Sequence, residues 1–585
     1  VAYVRERNIY VEDLRDHSIR QITRTKSSKV INGTADWVYE EELSLRKGFR
    51  WSPDSKSIAY WQIDDTGVRD MILIDNVSGL YPKLTRFAYP KVGQQNPICR
   101  IGVYNLVTKK NRWMQTGDDL RDHYLAKMDW AKRSNELIIQ QLNRQQNTNR
   151  VMLAKAVTGK TRTILTEHDA AWVDTHNELN WLDKGQRFTW ISERDGWRHI
   201  YLVSRDGTNV TKVTKGKFDV IRLLHVDEAE GWIYFIASPD NPAERYLYRV
   251  GLDGSGLKRV TPDDAPAGSY NYSIAPNGRS ARVSYSTIDT PPLIQLISLP
   301  DHKLIRSLQS NDALVKKLKK ISNTKTEFAY VDIGKDQSLH TWCIKPPNFD
   351  PNKKHPLLIY VYGEPAGQTV RNRWGGTRHM WYQMLAQRGF VIMTIDNPGT
   401  AAPRGREWRK SVYRKVGILA PQAQAAAVRV LLKERDYLDP KRVGIWGWSG
   451  GGSMSLNAIF KYPKIYHTAI AVASVPNQRF YDTIYQERYM GLPEKNVEGY
   501  RNGSPINFAH QLEGNLLLIH GTGDDNCHYQ TFEQLVSRLV RHNRPFSMMA
   551  YPNATHAIRE GRNTTRHLFT LMTEYLERNL GANAD

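Results

Sequence analysis

Cysteine is nearly missing from this chain: Cys99, Cys343 and Cys527 are the only three in 585 residues, and they lie far apart. That scarcity excludes a disulfide-stapled scaffold and offers no paired-cysteine metal spacing, so no metal and no cofactor are expected. Long hydrophobic runs are missing too. No stretch approaches the ~18 apolar residues that a spanning helix requires, and no membrane span is expected in this chain. Acidic residues are in short supply, 60 Asp and Glu against 82 Lys and Arg, for a formal net charge of +22. Such a surplus suits an anionic partner. Yet the densest basic cluster, "VKKLKKI" at 315–321, has no interleaved aromatics and no nucleic-acid motif beside it. It reads as the solvated face of a helix, and no nucleic-acid partner is expected. An initiator methionine and a leader are absent as well. The chain opens on "VAYVRERNIYVEDL", already strand-like, and reads as a processed or incomplete chain.

What is present divides in two, as a length of 585 residues would suggest. From residue 1 to about 311, short runs such as "NIYVEDL", "SIAYWQI", "HIYLVSRDG" and "WIYFIAS" are bounded by Asp-Gly, Pro-Asp and Asn-Gly turns. That is the hairpin signature. A loose phrase recurs at 51 ("WSPDSKSIAY"), 129, 180 and 273, an aromatic or apolar residue, a turn and a strand. Gaps of one or two units of ~40–50 residues suit propeller blades. A β-propeller over 1–311 is therefore expected, with a pair of β-sandwiches as the alternative and no blade number legible. From 312 to 585 the texture changes. Apolar runs such as "PLLIYVYGEP", "GFVIMTID" and "NLLLIHG" alternate with helical segments such as "PQAQAAAVRVLLKERDYL". Strand–helix alternation predicts a mainly parallel sheet covered on both faces.

Within that half, "GIWGWSGGGS" at 444–453 sets Ser449 among five glycines, after a strand and before a helix. Strand, sharp Gly-x-Ser-x-Gly turn and helix make a nucleophile elbow, and with the alternating sheet they predict an α/β-hydrolase domain over 312–585. A serine needs a base, and the base an orienting acid. In this fold the acid and the histidine follow the serine in that order. "GTGDDNCH" places Asp524 and Asp525 after one strand, and "PNATHAIRE" places His556 after the next.

At this point "GWSGGG", "HGTGDDNCHYQ", "YDTIYQERYMGLP" and "DWVYEEEL" together resemble the dipeptidyl peptidase IV branch of the prolyl oligopeptidase family, over most of the chain. The resemblance implies a propeller joined to a hydrolase domain. It also implies release of dipeptides from free peptide N-termini with proline or alanine second, a periplasmic or secreted location, and a homodimer among the arrangements to expect. It gives Ser449, Asp524 (rather than Asp525) and His556 as the triad, and Tyr362 with the N–H of Gly450 as the oxyanion hole. It makes Asn526 a binder of the substrate carbonyl, with Tyr481, Tyr485 and Val475 lining the proline pocket. The family's substrate-binding propeller arginine would fall before residue 1.

The resemblance also gives "EEE" at 40–42 a use: Glu41 and Glu42 would hold the substrate's α-ammonium through charge-assisted hydrogen bonds. Three adjacent acids need a compensating cation, expected to be Arg488 or the ligand itself. The pattern is broken at several places, among them "GILAPQAQ" at 417–424, which lacks acids the family commonly carries there. Gly450 stands where the family usually has a tyrosine, Gln478 near a usual tryptophan, and Cys527 where a small aliphatic residue is usual. A wider, less apolar pocket is expected from these changes, with strict proline preference in doubt. The alternatives are an oligopeptidase or esterase on this fold, or a catalytically silent binding homologue.

Overall fold

Turn chemistry cuts the first half of the chain into antiparallel meanders. Gly207, Gly254 and Gly278, each after an Asp or Asn, take left-handed φ values of 82°, 85° and 68° that a side chain would resist. The computed structural model describes residues 1–321, 324–334 and 336–581. Among them the meanders form six sheets of three or more strands, beside a two-stranded hairpin at Asp70–Ala88. A three-stranded sheet spans Ala2–Gln21 and a five-stranded one Val30–Trp113; four four-stranded sheets follow, over His123–His168, Trp181–Lys212, Val220–Arg259 and Ser269–Gln309. These are propeller blades, not two sandwiches. The recurring phrase marks one hairpin in four of them, the turn between the second and third strands at Trp51/Ile58 and between the first and second at Arg133/Glu136, Leu182/Arg187 and Ile274/Ala281. The blade between the last two turns at Asp227/Trp232, where "HVDEAEGW" lacks the phrase.

The second half holds an eight-stranded sheet, here numbered β1 (Glu327–Asp332), β2 (Ser338–Ile344), β3 (His355–Tyr360), β4 (Val391–Ile395), β5 (Leu438–Trp448), β6 (Thr468–Val472), β7 (Asn515–Gly521) and β8 (Ser547–Tyr551). Its order is β1-β2-β4-β3-β5-β6-β7-β8, antiparallel at the first two pairings and parallel beyond. This is an α/β-hydrolase sheet. The central strands carry unbroken apolar runs such as "LLI", "AIAV" and "LLLI" because both faces are covered. Helices Leu419–Glu434 and Gly450–Lys461 pack into one core with Leu357, Ile359 and Ile445. Helices Gly376–Gln387 and Thr564–Leu580 pack into the other with Leu358, Ile392 and Trp446. The lysine-rich helix, Asp312–Ile321, buries nothing, as its charge pattern suggested. No described helix is long and apolar enough to cross a membrane.

Buried charge joins the halves. Arg409 of the hydrolase half pairs at 2.5 Å with Asp219 and with Glu193 of the propeller, while Lys410 reaches Asp169 at 2.8 Å and Glu193 at 2.6 Å. Arg144 of the propeller forms a two-pronged pair with Glu487, whose side chain is 1% exposed. Guanidinium suits such planar, bidentate contacts. These pairs hold the propeller's inner residues over the carboxyl ends of the sheet, where α/β folds place their ligands.

Candidate active site

Ser449 sits between β5 and its following helix with φ 59° and ψ −123°, a backbone conformation that a non-glycine residue adopts only when its surroundings impose it. The surrounding glycines explain how. A Cβ on Gly447 would lie 2.3 Å from the Gly451 carbonyl, and one on Gly451 would lie 2.2 Å from the Val361 carbonyl. The turn closes only on bare backbone. Gly450, the first residue of the helix, has an N–H without an intrahelical acceptor, free to bind an oxyanion.

Asp524 follows β7 and is fully buried. Its Oδ1 accepts from the N–H groups of Asn526 at 3.0 Å and Cys527 at 2.9 Å, and its Oδ2 lies 2.8 Å from His556 Nδ1. Burial disfavours the charge, but His520 and His556 outweigh it and hold the carboxyl well below the usual range. His520 Nε2 is hydrogen-bonded to the Cys527 carbonyl at 2.5 Å and also lies 3.4 Å from Oδ2, a second histidine beside the acid; in the sequence it is the histidine that ends the strand run "NLLLIH", with nothing to mark it as part of the site. Burial also works against a charged His556. Contact with Cys527 and Asp524 reverses the balance and raises the imidazole. Cys527 is itself pushed up by burial and stays a thiol near neutral pH, so Asp524 is the standing charge. No hydrogen bond joins Ser449 to His556. The serine Oγ instead lies 3.9 Å from Cys527 Sγ, and such catalytic bonds often tighten only around a substrate. Asp525 faces the other way, accepting from Trp37 Nε1 at 3.3 Å.

Glu41 and Glu42 lie on the short helix Trp37–Leu43, begun by Asp36, whose side chain accepts from the Tyr39 N–H. Asn526 joins this helix to the hydrolase half: its Nδ2 donates to Glu41 Oε1 at 2.8 Å, and its Oδ1 accepts from the Tyr481 hydroxyl at 2.7 Å. Glu42 is raised well above the carboxylate range, by burial and by Asp482 beside it, against the pull of Arg488. Arg488, expected with the ligand as a counter-charge to the acids, makes no ion pair with residues 40–42: its Nε donates to Gln146 at 2.7 Å, and its charge acts on Glu42 only at a distance. Arg488 and Glu42 line one chamber without touching. Glu40 turns outward, 3.8 Å from Arg46.

Tyr362, Gly450, Val475, Tyr481 and Tyr485 line a single small cavity with Ser449 and Cys527. Tyr481 and Tyr485 meet edge to face with centroids 5.3 Å apart. The widened pocket expected from Gly450 and Gln478 is not what the structure has. A Cβ on Gly450 would lie 2.5 Å from Glu364 Cδ, so the space is taken. Gln478 is tied down by its Nε2 bond to the Val416 carbonyl at 2.9 Å. Sequence reading passed over Glu364, which sits two residues after Tyr362 and carries no motif of its own.

With this geometry in view, the likeness to known proteins is informative. Residues 1–292 match the family model described as the dipeptidyl peptidase IV N-terminal region, and residues 378–583 that of the prolyl oligopeptidase family. The chain is 31% identical to dipeptidyl peptidase 4 of Arthroderma otae, over 92% of this chain and 71% of that protein. It is 30% identical to the prolyl endopeptidase FAP of Mus musculus, over 99% and 78%. The crystal structure of Porphyromonas gingivalis dipeptidyl peptidase 4 superposes with a TM-score of 0.94 at 31% identity, covering 99% of this chain and 81% of that one.

Proposed function

Because the chain belongs to the dipeptidyl peptidase IV branch of the prolyl oligopeptidase family, we propose that it is a serine exopeptidase releasing X-Pro or X-Ala dipeptides from peptides with a free N-terminus. The observation that carries this reading is the pairing of two features. One is an acid–histidine pair beside a serine elbow; the other, linked to it through Asn526, is a pair of acids, one of them half-buried, with no protein cation in contact with them. An α-ammonium is the cation that Glu42 lacks, and its binding there fixes the cleavage register two residues in.

In this reading Ser449 Oγ attacks the carbonyl of the second residue while its proton passes to His556 Nε2. Asp524 holds the Nδ1–H and stabilises the imidazolium that forms. The Gly450 N–H and the Tyr362 hydroxyl take the oxyanion. As the C–N bond breaks, the leaving amine receives the proton from His556, and the dipeptide stays as an ester on Ser449. Water, deprotonated by the same histidine, then cleaves the ester and restores the serine. Val475, Tyr481 and Tyr485 flank the second side chain.

An endopeptidase reading is kept in view by the likeness to the mouse prolyl endopeptidase. Profiling dipeptide–fluorophore substrates with and without an acyl block on the amine separates the two, since an endopeptidase tolerates the block. The homodimer implied by family likeness belongs to the same proposal. The hairpin Asp70–Ala88 exposes Leu80 and Tyr81, and sedimentation of the full chain tests it.

A further inference from the structure

The pocket for the second residue is walled by a carboxyl. Glu364 Cδ occupies the volume that a side chain at Gly450 would fill. The Tyr485 hydroxyl donates to Glu364 Oε2 at 2.6 Å, and that is the one protein hydrogen bond the carboxyl receives among the described residues. No lysine or arginine compensates it; burial pushes it up to about 7, with Tyr485 pulling the other way. Oε1 is left without a protein partner in a cavity that also holds Ser449.

Glu364 is half-buried, and once a substrate's all-carbon ring covers Oε1 that oxygen forfeits the hydrogen bond it makes with water and becomes a buried unpaired acceptor, which is costly. A substrate that brings a donor removes that cost. The size of the cavity decides which donor fits. Its free volume is about 40 Å³, against about 400 Å³ for the neighbouring chamber lined by Glu42 and Arg488. A lysine or arginine side chain has no room beside Tyr481 and Tyr485. A hydroxyl has, and it suits both states of the acid, donating to the carboxylate and accepting from the protonated form. We propose that Glu364 is a specificity-determining residue, selecting peptides whose second residue is small and carries a hydroxyl (serine, threonine or a hydroxylated proline ring) over the same residue without it. The inference rests on the exopeptidase reading and sharpens it: unsubstituted proline is accepted, but it is not the best fit.

The test compares substrates that differ by one oxygen. We would measure kcat/KM on the full chain for Gly-Pro against Gly-hydroxyproline and Gly-Ala against Gly-Ser fluorophores, with Gly-Lys alongside, for wild type, Glu364→Leu and Glu364→Gln. In wild type the hydroxylated member of each pair should lead by about tenfold or more, as expected for a hydrogen bond to an acidic group. The lead should fall to about twofold or less in Glu364→Leu, where no polar partner remains, and survive in part in Glu364→Gln. Because each result is a ratio on one preparation, partial misfolding of a variant cancels. Equal rates within the pairs in wild type, an unchanged ratio in Glu364→Leu, or a preference for Gly-Lys would each overturn the proposal. Failure of the exopeptidase reading shows separately, as undiminished cleavage of amine-blocked substrates, and leaves the ratios readable.

Discussion

On the hydrolase side of the cleft, Ser449, Asp524 and His556 follow β5, β7 and β8, neighbours but for β6, and backbone contacts fix each one. On the propeller side, Glu41 and Glu42 ride a seven-residue helix whose side-chain hydrogen bonds to the catalytic loop are Asn526 to Glu41 and Trp37 to Asp525. The first arrangement survives anything that leaves the sheet intact. The second depends on how the halves dock, and so on charge pairs remote from the chemistry such as Arg144–Glu487 and Arg409–Asp219. In the proposed reading, bond-breaking power and cleavage register are thus built by different means. A variant can lose one and keep the other.

The largest break in that comparison is on the hydrolase side. Ser449→Ala and His556→Ala should each lower turnover by about 10⁴–10⁶-fold for peptides and small esters alike, since triad members act as a unit. Asp524→Asn should cost about 10⁴-fold. Steady-state kinetics on both substrate types checks this; a serine variant with a few per cent activity, contaminants excluded, would contradict the assignment.

Next is the joint between the halves. Arg144→Ala leaves Glu487 buried and unpaired, a loss of about 3–5 kcal/mol for a pair of this kind. Chemical denaturation should show the loss, and in folded enzyme peptide cleavage should suffer more than ester hydrolysis.

Register comes third. Glu41→Gln or Glu42→Gln should lower kcat/KM for free-amine Gly-Pro substrates by about 10–150-fold, the worth of one hydrogen bond to a charged group. A small ester without an amine should be untouched. Asp525→Asn, which disturbs a neutral donor's bond at 3.3 Å, should cost about tenfold or less on peptides. A larger loss than from Asp524→Asn would mean that the wrong aspartate has been chosen.

The smallest effect is a shift in pH profile. As the proposed base, His556 would act only when deprotonated, and its imidazole is raised. So kcat/KM should climb as pH rises through that titration, with a midpoint above the ordinary histidine value. Asp524→Asn removes the standing negative charge, and in its residual activity the midpoint should move down. A midpoint that stays put would show that Asp524 does not set it.

Legibility in the sequence followed the same division. The elbow was readable because glycines at 447 and 451 have a steric reason that any fold of this kind shares, and the serine, acid, histidine order follows from strand order. The propeller was readable as hairpins, although one blade's turn at Asp227/Trp232 carries no phrase. What could not be read was contact between segments distant in sequence. His520 looked like a strand end until Asp524 folded back 3.4 Å from it. Arg488 was legible as a charge near the acids, but not that Gln146, on a propeller loop, would take its Nε and leave it acting on Glu42 at a distance. Glu364 filling the space at Gly450 is the plainest case: nothing in the two short stretches shows that the one side chain occupies the room beside the other's bare backbone.

The central claim is that a free amine held by Glu41 and Glu42 sets where Ser449 cuts. It is tested most directly by a cycle of kcat/KM values for Gly-Pro and acyl-Gly-Pro fluorophores on wild type and Glu42→Gln. Each change removes the same interaction from one side. The account therefore expects each alone to cost about 10–150-fold and the two together to cost no more than the larger. Full cleavage of the acylated substrate by wild type, or losses that multiply in the double change, would contradict it.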